Sequence, residues 1–120
     1  MRSKTILIVD DEEDVLKVTE KRLVDAGYTV MTANGGREGL RIAKKEQPDL
    51  ILLDINMPDL DGGEVGQILK IDPDTKRIPI IFLTALVSRG EAAAPNIGGQ
   101  CYISKPYDLK ELLAAIRERI

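Results

Sequence analysis

The chain contains the apolar run Leu50-Ile51-Leu52-Leu53, which is followed at once by Asp54. A strand with one face in water alternates apolar and polar residues, whereas a strand covered by helices on both faces is apolar throughout. Residues 78–83 form a second run of the same kind. We therefore predict that both runs are inner strands of a parallel sheet with helices on its two faces.

Further strands and helices are predicted on either side of these two runs. Residues 5–9, 28–32 and 101–104 read as short strands, and apolar residues recur at helical spacing between the strands. Asp108 is predicted to cap the last helix, with Glu111 as its capping-box partner. The apolar face of that helix comprises Leu109, Leu112, Leu113, Ile116 and Ile120. The alternation predicts one α/β domain over residues 1–120, built as a doubly wound five-stranded parallel sheet.

The composition excludes several classes of protein. The formal net charge is −3 and the basic residues are scattered, so direct binding to nucleic acid is not expected. Cys101 is the single cysteine, which excludes an intrachain disulfide and suits a reducing cytosol. The early apolar run, residues 6–9, is too short for a signal peptide or a membrane span. We therefore expect a cytoplasmic protein with no membrane contact.

The absence of histidine restricts the chemistry further. It excludes Ser-His-Asp and Cys-His catalytic groups and the usual zinc sites. Carboxylate chemistry remains, and the metal that suits carboxylates is a hard, oxygen-binding ion such as Mg²⁺.

Polar residues stand at the predicted carboxyl ends of the strands, where sheets of this class bind their ligands. They are Asp10 and Asp11 after the first strand, Asp54 after the third, Thr84 at the end of the fourth and Lys105 after the fifth. Carboxylates crowded at neighbouring strand ends repel one another unless a cation neutralises them, and Mg²⁺ would supply that cation. Helix capping is the alternative for the acidic residues, and it explains Glu12, Glu13 and Asp14.

Four short motifs occur in a fixed order along the chain. They are Ile8-Val9-Asp10-Asp11, then residues 52–58 with Asp61-Gly62, then Leu83-Thr84-Ala85, and finally Lys105-Pro106-Tyr107. Together they resemble the response-regulator receiver domains of two-component signalling, typified by the single-domain chemotaxis regulators, over nearly the whole chain. The resemblance implies a flavodoxin-like sheet with strand order 2-1-3-4-5 and a phosphorylation switch.

The resemblance also implies a metal and a phosphoryl donor. Asp54 would accept a phosphoryl group from a phosphohistidine on a sensor histidine kinase or a phosphotransfer protein. Asp11, Asp54 and the backbone carbonyl of Asn56 would bind Mg²⁺, with Asp10 acting through a water molecule.

Four more residues receive roles from the same resemblance. Lys105 would contact the phosphoryl oxygens, and its peptide bond to Pro106 would be cis. Thr84 and Tyr102 would form the switch pair that changes the output surface. From the residues alone, Lys105 could be a solvated surface lysine, although its place at a strand end argues against this, and Tyr102 would be read as an ordinary half-buried aromatic.

Three other functions would use some of the same residues. A phosphotransferase of the haloacid dehalogenase type also uses Asp, Mg²⁺, Thr and Lys, but its nucleophile follows the first strand and an acidic residue stands two positions later. Here Asp54 follows the third predicted strand, and Asn56 holds that second position. An FMN module would need a Ser/Thr/Gly-rich loop after the first strand, where Asp10 and Asp11 stand. A degenerate receiver that binds partners without phosphorylation stays open as an alternative.

The segment after Thr84 departs most from the family pattern. Pro95 within residues 88–99 predicts that a helix there is short and covers only residues 89–94. Gln100 and Cys101 replace the acidic residues that support dimers of transcription-factor receivers, so we expect a monomer. Leu86 is predicted to shield the phosphoryl group from water and so to prolong its lifetime.

Overall fold

The computed structural model describes residues 3–55, 57–84, 101–104 and 107–120. Its strands are β1 (Thr5–Val9), β2 (Thr29–Ala33), β3 (Leu50–Asp54), β4 (Ile80–Thr84) and β5 (Cys101–Ser104). Among the described residues the helices are α1 (Glu13–Asp25), α2 (Gly36–Glu46), α3 (Gly62–Ile71) and α4 (Leu109–Arg119). All strands are parallel and lie in the order β2-β1-β3-β4-β5, which confirms the predicted fold. No helix in this part of the chain is both long and apolar enough to cross a membrane.

The start of β4 differs from the sequence-based prediction, which placed it at Ile78. The N–H of Ile78 donates to the Thr75 carbonyl at 3.0 Å in a turn, and Pro79 has no N–H to offer to a sheet. The strand consequently begins at Ile80, so the predicted start is wrong. The remaining bounds agree within one residue, and β3 includes Asp54 as its last residue.

Each face of the sheet is covered by its own apolar cluster. Successive residues of β3 point to opposite faces, so Leu50 and Leu52 enter one cluster while Ile51 and Leu53 enter the other. Helices α1 and α4 cover the first face, and α2 and α3 cover the second. All four side chains are fully buried, which explains why no polar residue interrupts this run.

Helix α4 begins directly after the predicted N-cap residue, but among the described residues the side chain of Glu111 makes no capping-box hydrogen bond, so that part of the prediction is wrong. Asp108 occupies the N-cap position, and its carboxylate accepts a hydrogen bond from the N–H of Lys110 at 3.0 Å. The side chains of Leu112 and Ile116 are buried on the predicted apolar face. The cap and the apolar face together fix this helix against α1 and the sheet.

Asp72 connects α3 to α2 at the end of the sheet opposite the carboxyl ends of the strands. Its carboxylate accepts the N–H of Asp74 at 2.9 Å and pairs with the ammonium group of Lys44 at 3.4 Å. The backbone hydrogen bond from Asp74, and after it the charge of Lys44, hold the pKa of the Asp72 carboxyl below its usual value. Asp72 is therefore a structural carboxylate that lies away from the acidic strand ends.

We predict that Leu52→Ala lowers the free energy of unfolding by about 2–5 kcal/mol, because it removes buried methyl groups and leaves a cavity between β3 and its covering helices. Ile71→Ala is the matched control, since Ile71 is 78% exposed. That variant should change stability by less than about 0.5 kcal/mol. Urea denaturation measures both values, and equal losses would contradict the assigned positions of these two side chains.

Candidate functional site

The carboxyl ends of the three inner strands bring polar side chains together. In the register of the sheet, Asp10 follows the residue opposite Leu53, and Thr84 follows the residue opposite Asp54. Asp10, Asp54 and Thr84 are all buried, with exposures of 0%, 2% and 1%. Two carboxylates and a hydroxyl therefore share one edge of the sheet, as the sequence predicts.

Hydrogen bonds hold Asp10 on both sides. Its N–H donates to the Ala33 carbonyl of β2 at 3.1 Å, and its Oδ1 accepts the N–H of Glu12 at 2.9 Å. Glu12 occupies the N-cap position of α1, where its own side chain makes no capping hydrogen bond. The prediction of a capping hydrogen bond to the Glu12 carboxylate is therefore wrong, although the residue does lie at the positive end of the helix dipole, as expected. Glu13 and Asp14 do lie in the first turn of α1, near the positive end of the helix dipole.

Asp10, Asp11 and Glu12 form an acidic cluster. One carboxylate oxygen from each residue lies within 4.8 Å of the others. Asp10 is buried, whereas Asp11 and Glu12 are exposed and can reach an ion from the solvent side. Mg²⁺ prefers such hard oxygen ligands and keeps several of its waters, so the donors present fit this ion. The sequence analysis did not predict Glu12 as a metal ligand. Its position two residues after Asp10 could have indicated it, because the Asp10 carboxylate binds the Glu12 N–H and so brings the two residues close together.

The β3–α3 connection, described at Ile55 and at residues 57–61, is tied down at both ends. The N–H of Ile55 donates to the Leu83 carbonyl of β4 at 3.1 Å. The carbonyl of Ile55 accepts the N–H groups of Met57 at 3.2 Å and of Gly62 at 2.9 Å. Met57 is only 8% exposed and packs into the core on the α2 and α3 side. The backbone directly beyond β3 is thereby fixed.

Gly62 lets α3 begin against the end of β3. A Cβ at this position would lie 2.3 Å from the carbonyl oxygen of Asp54 and 2.6 Å from the Cα of Ile55, both backbone atoms. Asp61 is the N-cap of α3, and its carboxylate accepts the N–H of Gly63. The Asp61-Gly62 pair of the sequence motif thus combines a helix cap with a close approach of two backbones.

Tyr102 lies on β5 and is half-buried. Its ring stacks on Phe82 of β4, with the ring centroids 5.1 Å apart and the planes at 21°. A groove of about 620 Å³ runs beside the two rings and is also lined by Gly66 and Lys70 of α3. Tyr102 is thus a half-buried aromatic residue with free space beside its ring. Its role as one of the two switch residues stays a prediction.

Tyr107 anchors the segment that leads into α4. Its hydroxyl forms a hydrogen bond with the hydroxyl of Thr19, which is buried in α1.

Several predictions fall on positions outside the described residues. These positions are Asn56, Leu86, residues 88–99, Gln100, Lys105 and Pro106.

Comparison with known proteins assigns the chain to a family. Residues 6–117 match the family model of the response regulator receiver domain. The chain belongs to this family. The receiver domain is 44% identical over 120 residues to "Probable transcriptional regulator ycf27" of Porphyra purpurea, covering 97% of this chain and 47% of that protein. It is 40% identical over 116 residues to "Response regulator PleD" of Caulobacter vibrioides, covering 96% of this chain and 26% of that protein.

A solved structure gives the same result. The chemotaxis protein CheY4 of Vibrio cholerae matches this receiver domain with a TM-score of 0.85 and 32% identity, covering 99% of this chain and 100% of that one. This receiver domain spans less than half the length of the two curated relatives. The family resemblance is confirmed, and with it the function of a phosphoacceptor switch in two-component signalling. Receiver domains in general bind Mg²⁺ at an acidic cluster, which here comprises Asp10, Asp11 and Glu12.

We predict that Gly62→Ala lowers the free energy of unfolding by about 1–3 kcal/mol, because its methyl group forces the backbones of α3 and β3 apart. Gly63→Ala is the matched control, since a Cβ there meets only the carboxylate of Asp61 at 3.0 Å. This exposed position should be neutral or gain up to about 1 kcal/mol from the higher helix propensity of alanine. Chemical denaturation measures the free energy of unfolding of both variants. Equal values for Gly62→Ala and Gly63→Ala would contradict the close approach of the two backbones at Gly62.

Proposed function

We propose that Asp54 is the phosphoacceptor of this receiver domain. It would take a phosphoryl group from a phosphohistidine on a sensor histidine kinase or a phosphotransfer protein in the cytoplasm. The supporting observation is the position of Asp54, buried at the end of the central strand between Asp10, which directly follows β1, and Thr84 at the end of β4. Asp54 is the described carboxylate that has an acidic residue on one side and a hydroxyl on the other.

The neighbouring carboxylates suit a different task. Asp10 uses one carboxylate oxygen to bind the N–H of Glu12, and Asp11 is exposed at the start of the following turn. Asp11, Asp54 and the backbone carbonyl of Asn56 would hold Mg²⁺ directly, and Asp10 would act through water. The Glu12 carboxylate is a further candidate because it lies in the acidic cluster. Mg²⁺, when bound, neutralises charge on the oxygens of the transferred phosphoryl group.

The response to phosphorylation would come from residues on the β4 side. A phosphoryl group adds roughly −1.5 to −2 charges at Asp54. The Thr84 hydroxyl, at the end of the adjacent strand, would turn toward this group, and Lys105 would bind its oxygens. Tyr102 would then change its rotamer beside Phe82, where the groove provides space. A switch of this kind needs two arrangements of similar energy, and the added charge favours one of them.

We also propose how the receiver domain is organised and how it passes on its signal. Residues 1–120 act as a single receiver unit, and we propose a monomer that presents its altered surface to an output partner or an output domain. The curated relatives are longer than this receiver domain, and a probable transcriptional regulator and the response regulator PleD are among them.

We predict that Asp54 gains the mass of one phosphoryl group on incubation with Mg²⁺ and a small acyl phosphate, and that Asp54→Asn gains none. The label should be labile to hydroxylamine, as an acyl phosphate is. Asp25→Asn, at the exposed end of α1, is the matched control and should be labelled like the wild type. Intact-mass spectrometry decides the point: stable, stoichiometric labelling of Asp54→Asn would exclude Asp54, and an unlabelled wild type would favour a degenerate receiver.

We predict that Asp11→Ala weakens Mg²⁺ binding by at least about tenfold, because a ligand of the ion is lost. Glu12→Ala should weaken it less, and Glu13→Ala, an acidic neighbour outside the cluster, should leave it unchanged. Calorimetric titration in the millimolar to submillimolar range expected for such sites measures all three. Equal affinities across the series would show that the acidic cluster is not the metal site.

A further inference from the structure

Asp59 joins the β3–α3 connection to a helix far away in the sequence. Its Oδ1 accepts the N–H of Gly36 at 3.1 Å, and its Oδ2 accepts the N–H of Arg37 at 3.2 Å. The two donors lie 23 and 22 positions earlier in the chain and belong to the first turn of α2. One exposed carboxylate therefore connects the segment after Asp54 to the start of this helix.

The start of α2 needs this partner because it has no cap of its own. The N-cap residue is Gly35, which has no side chain to bind the free N–H groups of the first turn. These groups also form the positive end of the helix dipole, which favours a carboxylate. The backbone hydrogen bonds from Gly36 and Arg37 hold the pKa of the Asp59 carboxyl below its usual value, so this group is ionised at neutral pH.

Glycines at the start of α2 allow the close approach. A Cβ on Gly35 would lie 3.1 Å from Oδ2 of Asp59, and a Cβ on Gly36 would lie 2.9 Å from the Cβ and the carbonyl oxygen of Leu60. Larger residues at these two positions would push the β3–α3 connection outward. The contact thus involves the backbone of the connection as well as one side chain.

Helix α2 also packs against the end of β1, directly before the acidic cluster. A Cβ on Gly39 would lie 2.8 Å from Cγ2 of Val9, the residue that precedes Asp10. Asp10 in turn bonds through its N–H to Ala33, the last residue of β2 before the turn into α2. The start of α2 therefore lies between the acidic cluster after β1 and the connection after Asp54.

We infer that Asp59 is a positioning residue, which sets the place of the β3–α3 connection relative to the acidic cluster by binding the start of α2. The inference rests on the proposed role of Asp54. Asp59 contacts α2 rather than the reacting atoms, so its effect passes through the backbone that follows Asp54. Its loss should lower the maximal rate of phosphorylation and leave the half-saturating donor concentration nearly unchanged, because the donor keeps its own contacts.

The test compares Asp59→Ala, Asp59→Asn and Asp72→Ala with the wild type. Alanine removes both hydrogen bonds, whereas asparagine keeps one carbonyl oxygen and can restore one of them. Asp72→Ala is the matched control, because it also removes a carboxylate that binds a backbone N–H, but at the far end of α3. Labelling by acetyl phosphate with Mg²⁺, followed by intact mass at several donor concentrations, separates the maximal rate from half-saturation.

We expect Asp59→Ala to lower the maximal rate by roughly 3- to 10-fold, since a small displacement of reacting groups has a large effect on rate. Asp59→Asn should recover part of the loss, and Asp72→Ala should retain the wild-type rate. A wild-type maximal rate in Asp59→Ala would overturn the inference, and so would an equal loss in Asp72→Ala, which would indicate a general loss of stability.

Amide hydrogen exchange separates this inference from the proposed function. In Asp59→Ala, the N–H groups of Gly36, Arg37 and Met57 should exchange faster than in the wild type, because the connection and the helix start are no longer joined. If the wild type takes no label at Asp54, the proposed function fails. Faster exchange at Met57 would then still support the positioning of the connection by Asp59, and unchanged exchange would overturn it.

Discussion

The burial of β3 on both faces is the constraint on which the rest of the structure depends. Leu50, Ile51, Leu52 and Leu53 have no exposed surface, so the strand can only exist between two layers of helices. Its last residue, Asp54, is a carboxylate that is itself almost fully buried. A polar group in such a place needs polar neighbours, and the carboxyl ends of β1 and β4 supply them. The position of the candidate site thus follows from the point at which the apolar strand β3 ends in Asp54.

The strand order follows from the family resemblance, whereas the periodicity of the sequence was sufficient to predict the five strands, because each strand is either apolar on both faces or bounded by turn residues. It failed at the start of β4, where Ile78 looks like part of the strand but bonds instead within the preceding turn. The residues that meet at the strand ends could also be predicted, since parallel strands place their carboxyl ends at one edge. Glu12 was missed because an acidic residue before a helix is ordinarily read as a cap.

The role of Asp59 could not be predicted for a different reason. Its partners are the backbone N–H groups of Gly36 and Arg37, and backbone groups carry no signal in the sequence. The sequence shows two glycines at the start of α2 and an aspartate after Pro58, but only the fold places them in contact. The two faces of the sheet are joined to the site in different ways. On the α2 and α3 side, Gly36, Gly39 and Gly62 allow helices to approach the strand ends and the β3–α3 connection closely. On the α1 side, a hydrogen bond between the hydroxyls of Thr19 and Tyr107 holds the segment that enters α4.

The contact between Asp59 and α2 also fixes the length of the β3–α3 connection. Exposed loops usually accept inserted residues, and Pro58 and Asp59 are both exposed. One added residue before Asp59 would nevertheless displace its carboxylate by up to about 3.3–3.6 Å along the chain, farther than a hydrogen bond can stretch. A peptide tag or a grafted loop at this point would therefore separate the connection from α2, although the point looks permissive from the outside. Surface exposure alone is a poor guide to where this receiver domain can be engineered.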